Sequence, residues 1–499
     1  MDFIEQFKSA RKAGVPLIAI RTSDNAALLS RIGKLESDSP VLAWDVINSV
    51  RYFNAPGKAA LQSALGRDAG FPELSNPALM AINAARLPEK TILVMFNAHR
   101  YTDNPNFVQA LWNLRDELKR NERALIISCP YIKLPQELAA DFIVLEEPLP
   151  DPATLRKIVV TSYEQVDLKP DSHDLEKAND ALSGLPSFGA EQACAMSMTS
   201  KGLDMAALWE RKRQQIETAP GLKVWRGTEK FADLGGLANV KKFTSRIIEG
   251  KNQPRAVVFI DEIEKAIAGH GTDMSGTSTE LLGELLSFMQ DTDAKGMLLL
   301  GPGGSGKSGF AKAIGNEATI PTISFNISAM KGSLVGESGA NMRNALKVVD
   351  AVAQKRALFV GTCNAVQNLP AELKRRFSFG TFFFDLPDPT ERSTIWDIYF
   401  KKFGLKEKRT ATMDVTDHEW TGSEVKNCCD ISDRLNCSIA EAAQYINPIA
   451  KSDHEGIRNL RNGASGKFLS ASYPGVFDMA RATDSKLGGE SKRRFAVSK

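Results

Sequence analysis

The chain is predicted to be an α/β protein made of two successive sheet-containing units. Three observations predict it. Short apolar runs rich in β-branched residues alternate with helical patterns over residues 1–152, the same alternation recurs over 233–388, and a sequence repeat ties the two stretches together. Such alternation implies mainly parallel sheets with helices on both faces, because a parallel pair needs a crossover long enough to hold a helix.

In the first unit the strand signals are VPLIAI (15–20), KTILVMF (90–96), RALIIS (123–128) and DFIVLEE (141–147), with helical patterns such as FVQALWNLRDELKR (107–120) between them. Residues 153–218 read as helical, and 219–232 as a linker, since Pro220 and Gly221 break the helix. In the second unit the strands are AVVFID (256–261), GMLLLG (296–301), TISFNI (322–327), ALFVGT (357–362) and GTFFFDL (380–386). A helical region and an apolar-anchored segment follow over 389–478, then a basic tail over 479–499. The repeat pairs RALIISCPYIKLPQEL (123–138) with RALFVGTCNAVQNLPAEL (356–373), and each copy leads, after a strand, into Leu-Pro-Asp-Pro at Leu149–Pro152 and Leu386–Pro389.

Composition excludes several classes. At 499 residues, 43% hydrophobic and 25% charged, the chain can bury a large core. No apolar run reaches the ~18–20 residues of a spanning helix, so no membrane association is expected. The start lacks a secretory apolar region, and six cysteines make no disulfide framework, so a cytoplasmic setting is expected. Net charge is +3, but residues 451–499 carry ten Lys/Arg and five Asp/Glu, a net of +5, which leaves −2 for the remainder. Only that basic end argues for nucleic acid, and a solvated tail is the simpler reading of it.

The chemistry concentrates in the second unit. GPGGSGKS (301–308) follows an apolar strand and opens a helical pattern. Gly301, Gly303, Gly304 and Gly306, with Pro302 and Ser305, would turn backbone N–H groups around phosphate oxygens, and Gly309 continues the helix start. Lys307 would reach the β- and γ-phosphates of ATP, and Ser308 would ligate Mg²⁺. Asp261 and Glu262 end the strand AVVFID. Asp261 would hold the metal and Glu262 would polarise the attacking water. Asn364, at the end of another strand, would orient water at the γ-phosphate. Arg375 and Arg376, in AELKRRFSFG, are candidates for a cation supplied to a neighbouring subunit's transition state. Cys428, Cys429 and Cys437 lack zinc spacing and read as buried thiols.

Taken together these elements resemble an AAA+ ATPase over residues 231–478. FADLGGLANVKKF (231–243) resembles the leading segment that passes the adenine, which puts Asp233 and Gly235 near the base. The 389–450 region resembles the lid, with Gly422 of TGSEV near the base. SLVGESGANMR (333–343) resembles the segment of the first pore loop, although Leu334 stands where threading motors carry an aromatic. GHGTDMSG (269–276) would be a second pore loop. The whole chain resembles the chloroplast and cyanobacterial open-reading-frame AAA proteins, in which a degenerate AAA-like half precedes an active one. The resemblance implies ATP and Mg²⁺ as cofactors, a homo-oligomeric ring, hexameric by analogy, and a protein partner that is remodelled. A nucleotide-gated assembly module is the alternative, and a DNA-associated motor is a weaker one.

The first half fits the inactive role, for RTSDNAALLSR follows VPLIAI without a glycine, Asn97 and Ala98 replace the two acids, and Pro130 stands where Asn364 stands. One departure is larger. The acid-bearing strand (256–261) precedes the phosphate loop (301–308), whereas AAA+ chains place it after. The expectation is a permuted chain order that preserves spatial order: finger strand, phosphate-loop strand, sensor strand, acid strand, then the strand before the pore loop. The helix 279–290, with Leu282, Leu285, Leu286 and Met289 inward, would supply one crossover.

Overall fold

A computed structural model describes the chain apart from residues 1–2, 23, 67–70, 268–276, 331–336, 366–369, 406–414 and 482–499. Both pore-loop readings, at Leu334–Gly336 and 269–276, and most of the basic tail lie outside the described residues. The chain divides into two compact units, Met1–Leu208 and Trp209–Lys499.

The first unit holds a six-stranded sheet of β1 (Leu17–Arg21), β2 (Val41–Asp45), β3 (Ser49–Tyr52), β4 (Ile92–Phe96), β5 (Ala124–Cys129) and β6 (Phe142–Glu146). Its spatial order is β6-β1-β5-β4-β2-β3, with all pairs parallel except the β2–β3 hairpin. β1, β2, β4 and β5 are buried almost throughout, as a sheet covered on both faces requires. The helices Pro152–Glu164, Ser172–Leu182 and Ser187–Ser197 follow, then a small hairpin of β7 (Met198–Thr199) and β8 (Gly202–Leu203). The region 153–218 is therefore not helical throughout. The helix ends at Ser197, and Gly202 takes φ +117°, a left-handed value, where the β7–β8 hairpin turns back.

The second unit holds β9 (Leu222–Val224), β10 (Ala256–Ile260), β11 (Lys295–Leu300), β12 (Thr322–Phe325), β13 (Ala357–Cys363), β14 (Thr381–Phe383) and β15 (Leu469–Ser470). Its spatial order is β15-β14-β11-β13-β10-β12-β9. β9 lies inside the stretch read as a linker. Leu222 and Val224 are buried while Lys223 is exposed, so the segment pairs antiparallel with β12 as an edge strand. β15, two residues long and parallel to β14, was too short to register as a strand in the sequence.

The two sheets can be compared position by position. In the first, β6-β1-β5-β4-β2 follows the usual chain sequence, with β4 entering before β5. In the second, β14-β11-β13-β10-β12 places the same roles side by side, yet β10 comes first in the chain. β10 thus lies between β13 and β12 although it precedes both along the chain. Its residues Ala256–Ile260 are fully buried and pair on both sides, in register with Ala357–Gly361 and Thr322–Ser324. The helix Thr277–Asp291 leads from β10 to β11 and buries Leu282, Leu285, Leu286 and Met289.

The Leu-Pro-Asp-Pro repeat has a structural counterpart. Asp151 and Asp388 each N-cap a helix with Pro at its first position, Asp151 accepting from Thr154 N at 2.8 Å and Asp388 from Thr390 N and Glu391 N at 2.8 Å. Among the described residues no helix is long and apolar enough to cross a membrane.

Candidate active site

The phosphate loop spans Gly301–Gly306 between β11 and the helix Lys307–Ala318. Gly301 adopts φ +149°, and a Cβ there would overlap the Phe384 carbonyl oxygen, so only glycine fits beside β14. Gly306 caps the helix at φ +94° with no side-chain cap, which leaves the first helical N–H groups for a ligand. Ser305 Oγ donates to Pro302 O at 2.9 Å and braces the loop. Gly303 lies under Ile449, and Gly309 lies against Leu234.

Lys307 is buried within this loop. Its ammonium donates to the carbonyls of Gly301 and Pro302, each at 2.7 Å. Burial pushes its pKa down to about 8, opposed by the charges of Glu264, Asp261 and Glu262. A phosphate arriving in the loop would therefore meet a cation already desolvated and held.

The acids of β10 come to the same place. Ser308 Oγ donates to Asp261 Oδ1 at 3.0 Å across 47 residues of chain. Thr362 of β13 clips the acid pair in position, donating to Asp261 Oδ1 at 2.6 Å while its Oγ1 accepts from Glu262 N at 2.9 Å. Glu262 sits at φ +50°, a left-handed conformation that costs a non-glycine residue about 1–2 kcal/mol. Its carboxylate accepts from Asn364 Nδ2 at 3.4 Å and pairs with Lys265. Asn364 is held through its own N–H, which donates to Glu264 Oε1 at 3.0 Å.

Other elements converge on this loop. Phe231 stacks on Phe310 with ring centroids 5.1 Å apart, and Asp233 Oδ2 accepts from Lys230 N at 2.8 Å, so the leading segment is laid along the helix Lys307–Ala318. Gly235 packs on Ile395, and Gly422, at the N-terminus of the helix Gly422–Leu435, neighbours both Ile395 and Gly304. Gly422 thus adjoins the loop directly, Gly235 shares the neighbour Ile395 with it, and Asp233 bonds within its own turn. The arginines stand apart. Arg376 donates to Gln290 and Arg375 is exposed, both on the helix Ala371–Arg376, and neither bonds to Lys307, Ser308, Asp261 or Glu262 within the described residues. None of the six cysteines is in a disulfide; five are buried and Cys437 is partly so.

Sequence reasoning missed Thr362, Glu264 and Lys265. Thr362 had a signal, since it lies two residues before Asn364 and alternate strand residues share a face. Replacing it by Val removes both bonds while keeping the shape. The expected outcome is slower ATP turnover and a stability loss of about 1–3 kcal/mol from the stranded Glu262 N–H, with Ser restoring both. Turnover assays and thermal melts check this; wild-type rates in the Val variant would dismiss the clip.

The donor set fits magnesium. Asp261 and Ser308 offer hard oxygens close together, and Mg²⁺ takes few protein ligands when phosphates supply the rest.

Comparison with known proteins agrees with the geometry. Residues 3–147 match the SpoVK-like AAA ATPase N-terminal domain, and residues 297–354 match the ATPase family associated with various cellular activities (AAA). The chain carries AAA ATPase domains. It is homologous to proteins described as uncharacterized AAA domain-containing protein ycf46. It is 23% identical to that of Guillardia theta, over 95% of this chain and 97% of the relative, and 21% identical to that of Pyropia yezoensis, over 95% and 100%. A shorter similarity, 33% over 19% of this chain and 18% of the relative, links it to an ATP-dependent zinc metalloprotease FtsH of Trieres chinensis. Both sheets thus lie in AAA-type surroundings, the first without a glycine loop and the second with one.

Proposed function

We propose that the second unit hydrolyses ATP with Mg²⁺, as a member of a ring, and that the work remodels a protein partner. The observation that carries this reading is the 3.0 Å bond between Ser308 and Asp261, beside the buried Lys307. Lys307 would neutralise the β- and γ-phosphates, Ser308 and Asp261 would hold the metal, Glu262 would take the proton of the attacking water, and Asn364 would position that water. Magnesium bound there would offset charge on the transferring phosphoryl group. A permuted chain order would account for β10 lying between β13 and β12 while preceding both in the chain.

The test is ATP turnover by the purified chain. Lys307→Ala is expected to abolish it by removing the only buried cation of the loop; turnover that persists would refute the site. Arg375 is exposed while Arg376 is held by Gln290, which favours Arg375 as the residue presented to a neighbour. Arg375→Ala is then expected to lower turnover by about 10³-fold or more while leaving nucleotide binding intact. Mixing it with Glu262→Gln chains should recover activity if the arginine acts in trans, and no recovery would argue against a ring.

One observation favours slower, assembly-type use of nucleotide. Lys265 occupies the Glu262 carboxylate, so the base is engaged before water arrives. Lys265→Ala is expected to raise turnover under this reading and to leave ATP-dependent assembly unchanged.

A further inference from the structure

The strand-to-helix connection of the first unit is held by an acid. Three residues separate β1 from the helix Asn25–Leu35, where six separate β11 from the helix Lys307–Ala318. A connection of three residues is too short to wrap the phosphate chain of a nucleotide as a six-residue loop can, although two helix starts can still hold a single oxyanion. Asp24 stands at the N-cap of the first helix, and its Oδ1 accepts from Ala27 N at 2.9 Å. Its Oδ2 accepts from Phe188 N at 3.1 Å. Phe188 is the second residue of the helix Ser187–Ser197, whose N-cap position is Pro186 and which has no side-chain cap of its own. One carboxylate therefore serves two helix N-termini, each with orphan N–H groups and partial positive charge.

The second unit makes the corresponding contact without an acid. Ser423, the second residue of the helix Gly422–Leu435, donates to the Gly304 carbonyl of the phosphate loop at 3.3 Å. That helix is capped by its own Thr421. In both units, then, the second amide of a later helix meets the strand-to-helix connection, after β1 in the first unit and after β11 in the second. In the first unit it meets a fixed negative charge. The surrounding groups are partly matched, since Arg21 Nε at the end of β1 is buried without a hydrogen-bond partner. Asp24 N donates to Thr22 Oγ1 at 2.9 Å, and Arg31 Nε lies 3.5 Å from Glu147 Oε1.

We propose that Asp24 is a built-in substitute for a bound phosphate. It occupies the oxyanion position of the first unit and ties the helical region to the sheet without nucleotide. The ligand class this position would otherwise take is a phosphate oxyanion, and Asp24 excludes it. The first unit therefore holds one conformation through the nucleotide cycle, whether or not the second unit turns ATP over.

Hydrogen exchange on the full chain tests this. Asp24→Asn keeps an oxygen for Ala27 N–H but can turn its NH₂ toward Phe188, which cannot accept a bond. Protection at Phe188 and the following turn is expected to fall about tenfold or more, the equivalent of one bond to a charged acceptor, while the helix Asn25–Leu35 stays protected. Asp24→Gly removes both oxygens, and inorganic phosphate should then restore protection at both helix starts while leaving the wild type unchanged. Unaltered protection at Phe188 in Asp24→Asn overturns the tether. Failure of phosphate to act on a folded Asp24→Gly chain overturns the substitution. If the Gly variant does not fold, wild-type protection at Ser187–Ser197 decides the second point: independence from ATP and Mg²⁺ supports it, and a rise on adding them refutes it.

Discussion

Replacing Glu262 by Gln is expected to cut ATP turnover by about 10²–10⁴-fold, the usual contribution of a positioned general base. Binding should survive, because Glu262 acts on Lys307 only through its charge, as the last of the carboxylates that do, and makes no hydrogen bond to it. Its bonds run instead to Asn364 and Lys265. Gln keeps an oxygen for Asn364, so the sensor remains in place. The lost pairing with Lys265 is solvent-exposed and should cost little stability. The left-handed backbone at φ +50° is also retained, since Gln tolerates it no better than Glu. The variant should therefore melt like the wild type, bind ATP by calorimetry, and release phosphate at a small fraction of the normal rate. Turnover that survives the change would move the base to another group, and Glu264 would be the next to test.

The phosphate loop was legible in the sequence because its physics is local. Glycines, lysine and serine at fixed spacing between a strand and a helix state their own geometry. The meeting of Asp261 with Ser308 was legible only through topology. Nothing in the spacing of 261 and 308 brings them together; the strand order β11-β13-β10 does. That order could be anticipated because a parallel strand buried on both faces is confined to the sheet interior, wherever the chain delivers it. Thr362 and Asp24 escaped notice for a shared reason. Each works by a side-chain bond to residues far along the chain, Thr362 to Asp261 and Asp24 to Phe188. In sequence, Asp24 is an ordinary helix N-cap, and nothing local shows that a second helix start meets its other oxygen. The edge strands β9 and β15 went unseen because two or three residues carry too little alternation to separate from a linker.

Gly301→Ala is expected to be the most damaging change to the loop itself, larger than loss of any one ligand. Two costs coincide there. A Cβ would overlap the backbone carbonyl of Phe384, and φ +149° lies in territory that L side chains rarely adopt. Neither neighbour can yield cheaply. Phe384 N donates to Leu300 O at 2.7 Å, and Gly301 N donates to Cys363 O at 3.3 Å, so moving the loop away from β14 pulls at both neighbouring strands. The loop must instead displace, and Lys307 moves with it because its ammonium is fixed on the Gly301 and Pro302 carbonyls. A shift of about 1 Å at a positioned group can alone cost about 10²-fold in rate. Nucleotide binding should fall below detection and the melting temperature of the second unit should drop, whereas the first unit, with its own core, should melt unchanged. Gly303→Ala is the control, for a Cβ there meets only Ile449 at an ordinary 3.6 Å. If both alanines behave alike, the close approach to β14 is not what shapes the loop, and a general loss of glycine flexibility explains the effect instead.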